Sequence, residues 1–198
     1  MTCFKTIVDV KDILVKEKSS KFIGFGFYVS NEFQIKEKIE QLKEIHPKAN
    51  HFCYAYRLGI DKYNFRVNDD GEPSGTAGKP ILGQIDSNGL TNCLVVVIRY
   101  FGGVKLGVSG LILAYKETAK QTIGATELIK ITIKEKYNVR CTYLEQNKLY
   151  KIFNKAKATV IEQEIENECN FTIELEKEQE IELTKILSEQ GIYFLKLD

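Results

Sequence analysis

Apolar positions along this chain switch between a period of two and a period near 3.6, the marks of strands and helices. Phe4 to Val10 and Phe22 to Val29 read as strands around the turn Lys16-Glu17-Lys18-Ser19-Ser20, which predicts a hairpin. Ser30 or Asn31 is placed to cap a helix in which Ile35, Ile39, Leu42 and Ile45 recur at helical spacing, and Pro47 stops it. His51 to Leu58 and Tyr63 to Asn68 alternate around Gly59-Ile60-Asp61-Lys62, a second predicted hairpin. In that hairpin His51 and Arg57 share one face of the first strand, and Arg66 is expected to join them in one basic surface.

A glycine-rich stretch, Asp69 to Pro80, leads to a short helix marked by Ile81, Leu82 and Ile85 and ended near Asn88-Gly89. Asn92 to Tyr100 is apolar on both faces until Arg99 and reads as a buried strand. Gly102 to Gly110 then turns the chain and opens a helix expected to bury Val108, Leu111, Ile112, Tyr115, Ala119 and Ile123. From residue 135 onward the pattern is strand (135–142), helix (143–156), strand (158–166), strand (169–176), helix (178–190), strand (192–197). That βαββαβ order is the ferredoxin-like pattern, with a capping box at Thr142 and Glu145 and Gly191 as a helix terminator. The fold class expected is therefore α+β in two domains, residues 1–134 and 135–198.

Composition sharpens this division. The 198 residues are 43% hydrophobic and 28% charged, a globular balance that excludes intrinsic disorder. The net charge of +1 hides +5 over residues 1–134 and −4 over residues 135–198. The first half is thus the better match for an anionic partner. The longest apolar run, Cys93 to Ile98, is far short of the ~20 residues that span a bilayer. The start, Met1-Thr2-Cys3-Phe4-Lys5, lacks the apolar core of a secretory signal, so a cytoplasmic location without membrane contact is expected. Five cysteines at 3, 53, 93, 141 and 169 form no CxxC pair, and Cys93, Cys141 and Cys169 sit in strand patterns as small core residues.

Two kinds of chemistry fit the glycine-rich stretches. A glycine turn feeding a helix presents unsatisfied N–H groups to an anion. Arg57, Arg66, Lys79, Arg99 and Lys105 would supply charge, with Gly102, Gly103 and Gly107 permitting close approach. The Walker pattern fails, because Pro73 and Pro80 stand where it needs Gly and Ser or Thr, and no GxGxxG occurs; no cofactor is expected. The alternative is a hydrolase-like enzyme acting on a small molecule or peptide, with His51, Asp69, Asp70, Glu72 and Ser74 as the candidate catalytic residues or oxygen and imidazole metal ligands. Neither arrangement has a recognisable spacing, so no metal site is assigned. A polar turn whose carboxylates bond loop N–H groups or pair with arginine explains the same residues.

Three ordered motifs, Ala49 to Arg57, Asn68 to Pro80 and Val97 to Gly107, closely resemble the IMPACT/YigZ family. The resemblance implies an N-terminal α/β sandwich of the superfold seen in the second domain of a small-subunit ribosomal protein, with a left-handed βαβ crossover. The tail is similar to the extra domain of the bacterial YigZ branch and resembles elongation factor G domain V. Eukaryotic members regulate translation through a protein partner, an interaction that does not carry over to this chain; bacterial members look RNA- or translation-linked, so the resemblance implies a translation-linked binding protein, expected to contact RNA or the ribosome. A protein–protein regulator is the third reading, with an unidentified partner docked on the acidic tail.

Overall fold

A computed structural model of the chain describes residues 2–61, 63–166 and 168–197. The chain divides into two compact units, Phe4–Ile131 and Met1–Cys3 with Thr132–Asp198.

The first unit is organised by the strand with the most continuous apolar run. In Cys93–Tyr100, which we number β6, every residue from Cys93 to Ile98 is fully buried. A strand apolar on both faces must be covered on both. The other sheet strands are β2 (Val10–Glu17), β3 (Ser20–Tyr28), β4 (His51–Leu58) and β5 (Asn64–Asn68), and the sheet runs β2-β3-β6-β4-β5 with antiparallel neighbours. Helix α1 (Glu32–Ile45) lays Ile35, Ile39 and Leu42 on the face carrying Phe25, Phe27, Phe52, Leu94, Val96 and Ile98. Asn31 caps it by accepting the Gln34 N–H at 3.0 Å. Helices α2 (Gly78–Ser87) and α3 (Gly107–Gly124) cover the opposite face, against Phe22, Cys53, Ala55, Cys93, Val95 and Val97.

Four expectations change. The hairpin turn is as read, but its first arm is Val10–Glu17, with a register break between Val10 and Ile13 and Asp12 at φ +60°. Residues Cys3–Ile7 (β1) instead pair with Leu128–Thr132 (β7), a strand the sequence reading missed. The β4–β5 register sets Tyr56 opposite Arg66 and Arg57 opposite Phe65, so Arg66 lies on the sheet face away from His51 and Arg57. On α3, Val108 is 59% exposed, while Thr118 and Thr122 are fully buried. Their hydroxyls bond back to the Ala114 and Thr118 carbonyls at 2.8 and 2.7 Å, so polar side chains fit an apolar interface. Lys62, in the predicted β4–β5 turn, lies outside the described residues.

The second unit has strands β8 (Lys134–Cys141), β9 (Thr159–Ile165), β10 (Cys169–Glu176) and β11 (Tyr193–Leu197), with helices α4 (Gln146–Lys155) and α5 (Glu180–Glu189). Its antiparallel sheet runs β11-β8-β10-β9, the ferredoxin-like order. The alternation of Cys169, Phe171, Ile173 and Leu175 buries one sheet face against Leu149, Ile152 and Phe153 of α4 and Leu183 and Leu187 of α5. The Thr142–Glu145 capping box is present, and Gly191 has φ +67°. Many glutamates stay on solvated faces beside lysines, as in Lys134–Glu174 at 2.7 Å and Lys196–Glu180 at 2.9 Å. Among the described residues no helix is long and apolar enough to cross a membrane.

Candidate functional site

His51, Arg99 and the loop after β5 gather at the end of the first unit's sheet where β6 finishes and β4 begins, whereas Arg57 and Arg66 lie toward the other end of β4. His51 lies directly opposite Arg99 in the β4–β6 register. The loop from Asn68 to Gly78 is held there by its own carboxylates.

Asp69 accepts backbone N–H groups from Gly75 at 2.8 Å, Ala77 at 3.0 Å and Gly78 at 2.8 Å. The residue preceding α2, Ala77, has no capping side chain, so Asp69 supplies the missing acceptor from a distance. Partial burial opposes its ionisation, but the bonds from Gly75, Gly78 and Ala77 and the nearby Lys79 charge outweigh that and hold its pKa below the usual 3.8. Asp70, at φ +42°, accepts the Phe52 N–H at 2.6 Å, and its own N–H donates to Asn68 Oδ1 at 2.7 Å. The loop is thus an Asx-type turn tied to β4.

Glu72 is 8% exposed and Arg99 5% exposed. Arg99 Nη1 donates to Glu72 Oε1 at 2.6 Å, and the Tyr115 hydroxyl donates to the same oxygen at 2.9 Å. Arg99 lies 5.4 Å from the ring centres of both Phe22 and Phe101. Burial pushes the Tyr115 hydroxyl far above its ordinary range, so it stays a donor. The Cys53 thiol sits 3.0 Å from the Asp69 carbonyl and 3.3 Å from the Tyr115 hydroxyl, and burial pushes its pKa up as well. A thiol so raised is no nucleophile at neutral pH. His51 Nδ1 is 2.8 Å from the Asp70 carbonyl, which can only accept. In the neutral ring the proton therefore sits on Nδ1, and Nε2, 3.8 Å from Glu72, is the acceptor.

Of the proposed hydrolytic residues, Asp69, Asp70 and Glu72 are thus engaged with backbone and arginine. Ser74 is exposed and makes no hydrogen bond to His51 among the described residues. No group of three His, Cys, Asp or Glu side chains is arranged to hold a metal ion among the described residues.

The proposed cations separate into two kinds. Arg99 is internal, and so is Arg57, which is 8% exposed, donates to Asp86 at 2.9 and 2.6 Å and stacks 5.1 Å from the Phe65 ring. Neither guanidinium stands at the surface as expected: each neutralises a carboxylate instead. Arg66, Lys79 and Lys105 are exposed. The glycines also differ. A Cβ on Gly102 would lie 1.8 Å from the Ser19 carbonyl oxygen, so Gly102 is a packing requirement. Gly103 and Gly107 have φ of +85° and +72° with open space around them. Helix α3 starts with no side-chain cap, leaving its first N–H groups unpaired by side chains. Sequence reasoning missed Tyr115 and Cys53 as members of the network; the one available signal was Tyr115 as the aromatic on the buried face of α3.

The family pattern of the Impact N-terminal domain matches residues 18–123. IMPACT family member YvyE of Bacillus subtilis is 44% identical over 108 residues, covering 54% of this chain and 49% of its own. YigZ of Escherichia coli, likewise an IMPACT family member, is 35% identical over 128 residues, 64% of this chain and 63% of its own. An IMPACT family member of Haemophilus influenzae is 32% identical over 151 residues, 74% of this chain and 72% of its own. The matches thus span about half of YvyE and under two thirds of YigZ. A solved structure described as a hypothetical protein superposes on 100% of this chain and 98% of its own, with a TM-score of 0.75 and 26% identity.

Proposed function

This chain belongs to the IMPACT family, and we propose that it is a non-enzymatic, translation-linked regulatory protein of the cytoplasm whose first unit contacts RNA or the ribosome. The family resemblance supplies the link to translation. The observation that carries the binding reading is that each of the three loop carboxylates is tied to the protein's own donors, Glu72 buried and Asp70 at the surface. Asp69 and Asp70 hold backbone N–H groups, and Glu72 holds Arg99 and Tyr115. Each carboxylate thus already serves an internal donor, which disfavours its use as a catalytic base or metal ligand. At the same end of the sheet the exposed parts of the loops include Lys79 in the first turn of α2, Lys105 before α3 and the open glycines 103 and 107, beside Asp70, Ser74 and Val104. Such a surface suits phosphates, through charge and backbone N–H groups.

Sedimentation of cell lysate through sucrose at low and raised salt tests this. The protein is expected with ribosomal particles at low salt only, because phosphate-driven binding falls steeply with salt. Lys79→Glu with Lys105→Glu is expected to release it. Recovery at the top of the gradient at both salts, together with no RNA affinity at low salt, overturns the proposal. Arg99 is no place for a charge reversal here, because Arg99→Glu would break the core before it tested a surface.

A further inference from the structure

On the sheet face carrying α1, next to the turn at Gly102, lies a cleft of about 490 Å³ lined by Ser19, Lys21, Ile23, His46, Tyr100 and Phe101. We infer that this cleft receives an unpaired base of single-stranded RNA, with the adjoining phosphate on Lys21 and Lys16. The inference rests on the RNA reading above and adds to it a second contact site and a strand type.

Strand register builds the site. Lys21 on β3 lies directly opposite Lys16 on β2 and opposite Tyr100 on β6, so the three share a face in one row. Like charges directly opposite each other destabilise a sheet. Lysines on an edge strand can discourage edge pairing, and β2 is an edge. Lys21 is on the inner strand β3, where that explanation does not reach. Both lysines are exposed, neither has an ion-pair partner among the described residues, and no carboxylate lines the cleft. An anion between them would remove the repulsion.

The remaining walls are flat and aromatic. Tyr100 is partly buried, with its hydroxyl 2.9 Å from His46 Nδ1, and that contact fixes both rings. Phe101 is 44% exposed, its N–H held by Asn50 Oδ1 at 2.8 Å and its ring within 5.4 Å of Arg99. Fixed aromatic faces beside unpaired cations form the usual platform for single strands: bases stack and phosphates follow the charge. The volume falls in the range of sites for small planar ligands. A duplex, whose bases are stacked inside, would leave the aromatic walls unused.

Fluorescence anisotropy with a labelled oligouridylate of about 12 nucleotides tests the cleft. Phe101→Ala is expected to weaken binding about tenfold, the loss of one stacked base. Lys21→Gln is expected to lower the salt slope by about 0.7, one single-strand phosphate contact. Crosslinking of a thiouridine oligonucleotide to the wild-type protein guards against misfolded variants, and the adduct is expected on Tyr100 or Phe101. Weakening by Lys79→Glu with Lys105→Glu, but not by the cleft variants, overturns the cleft and leaves the proposed function standing. Weakening by the cleft variants alone supports the cleft and removes the loop surface from the proposed function. Equal competition by duplex RNA or by polyglutamate overturns the cleft, since it would then read charge alone. No binding of the oligouridylate at low salt also overturns it, while co-sedimentation with ribosomal particles decides the proposed function separately.

Discussion

Replacing Glu72 with alanine is the sharpest test of the buried network at the end of β6. The substitution removes the carboxylate but leaves the Arg99 guanidinium 5% exposed and the Tyr115 hydroxyl fully buried, both without their shared acceptor. Breaking a buried ion pair from one side costs about 3–5 kcal/mol, because the surviving charge is left uncompensated. Domain stabilities are about 5–15 kcal/mol, so the loss is a large fraction of the whole. With a urea slope of about 1–3 kcal/mol per molar, the midpoint should fall by on the order of 2 M. The chain has ten tyrosines and no tryptophan, so far-UV circular dichroism with tyrosine fluorescence is the natural readout. Hydrogen exchange on peptides from β4, β6 and α3 assigns the loss to the first unit. Should Glu72→Ala fail to fold, Glu72→Gln keeps an acceptor for Tyr115 while removing the charge, and a cost of about 1.5–3 kcal/mol is expected. The double variant Glu72→Leu with Arg99→Met removes both charges and should lie within ~2 kcal/mol of wild type, far less than the two single costs combined. A Glu72→Ala cost below ~1 kcal/mol, or additive singles, refutes the reasoning.

Two further outcomes follow from the loops. Asp69 has a folded pKa below 3.8, so the stability it gives is fully present above the unfolded value and is lost as pH falls through the folded one. Thermal midpoints from pH 6 downward should therefore show Asp69→Asn less stable than wild type at pH 6, with the gap closing below pH ~3.8; a constant gap contradicts the three-bond account. Gly102→Ala drives a Cβ to 1.8 Å from the Ser19 carbonyl oxygen, whereas Gly103→Ala meets open space and strains only a φ of +85°. The Gly103 change should cost ~1–2 kcal/mol and the Gly102 change more, and equal urea midpoints for the two would deny the close approach.

The elements legible in the sequence are those whose signal is local. The α1 cap and spacing, the apolar run of β6 and the βαββαβ order of the second unit each lie within a short window. What stayed hidden depends on register or on long-range contact. Arg66 alternates correctly within its own strand, yet only the pairing of Tyr56 with Arg66 says which sheet face that alternation meets. Arg99 and Glu72 are 27 residues apart, Tyr115 and Glu72 43, and β1 and β7 more than 120. Nothing in a local pattern marks such partners. Thr118 and Thr122 were unreadable for another reason: polar in composition, they bond back to their own helix and so become packing surface against β3.

The buried network also explains why charge content was a poor guide to which cations stand at the surface. An arginine counts equally in net charge whether it neutralises a buried carboxylate or faces solvent. Here Arg99 joins the Asp69–Gly78 loop to β6 and, through Tyr115, to α3, while Arg57 joins β4 to Asp86 near the far end of α2. The Phe101 N–H bond to Asn50 and the seat of Gly102 on Ser19 fix the segment after β6 in turn. The exposed lysines are therefore presented from backbone that is already ordered, Lys21 on β3, Lys79 on α2 and Lys105 just before α3, and an anionic partner would find them with little ordering cost. Variants that reverse the buried guanidiniums report on this scaffold, whereas variants of Lys21, Lys79 and Lys105 test the proposed binding.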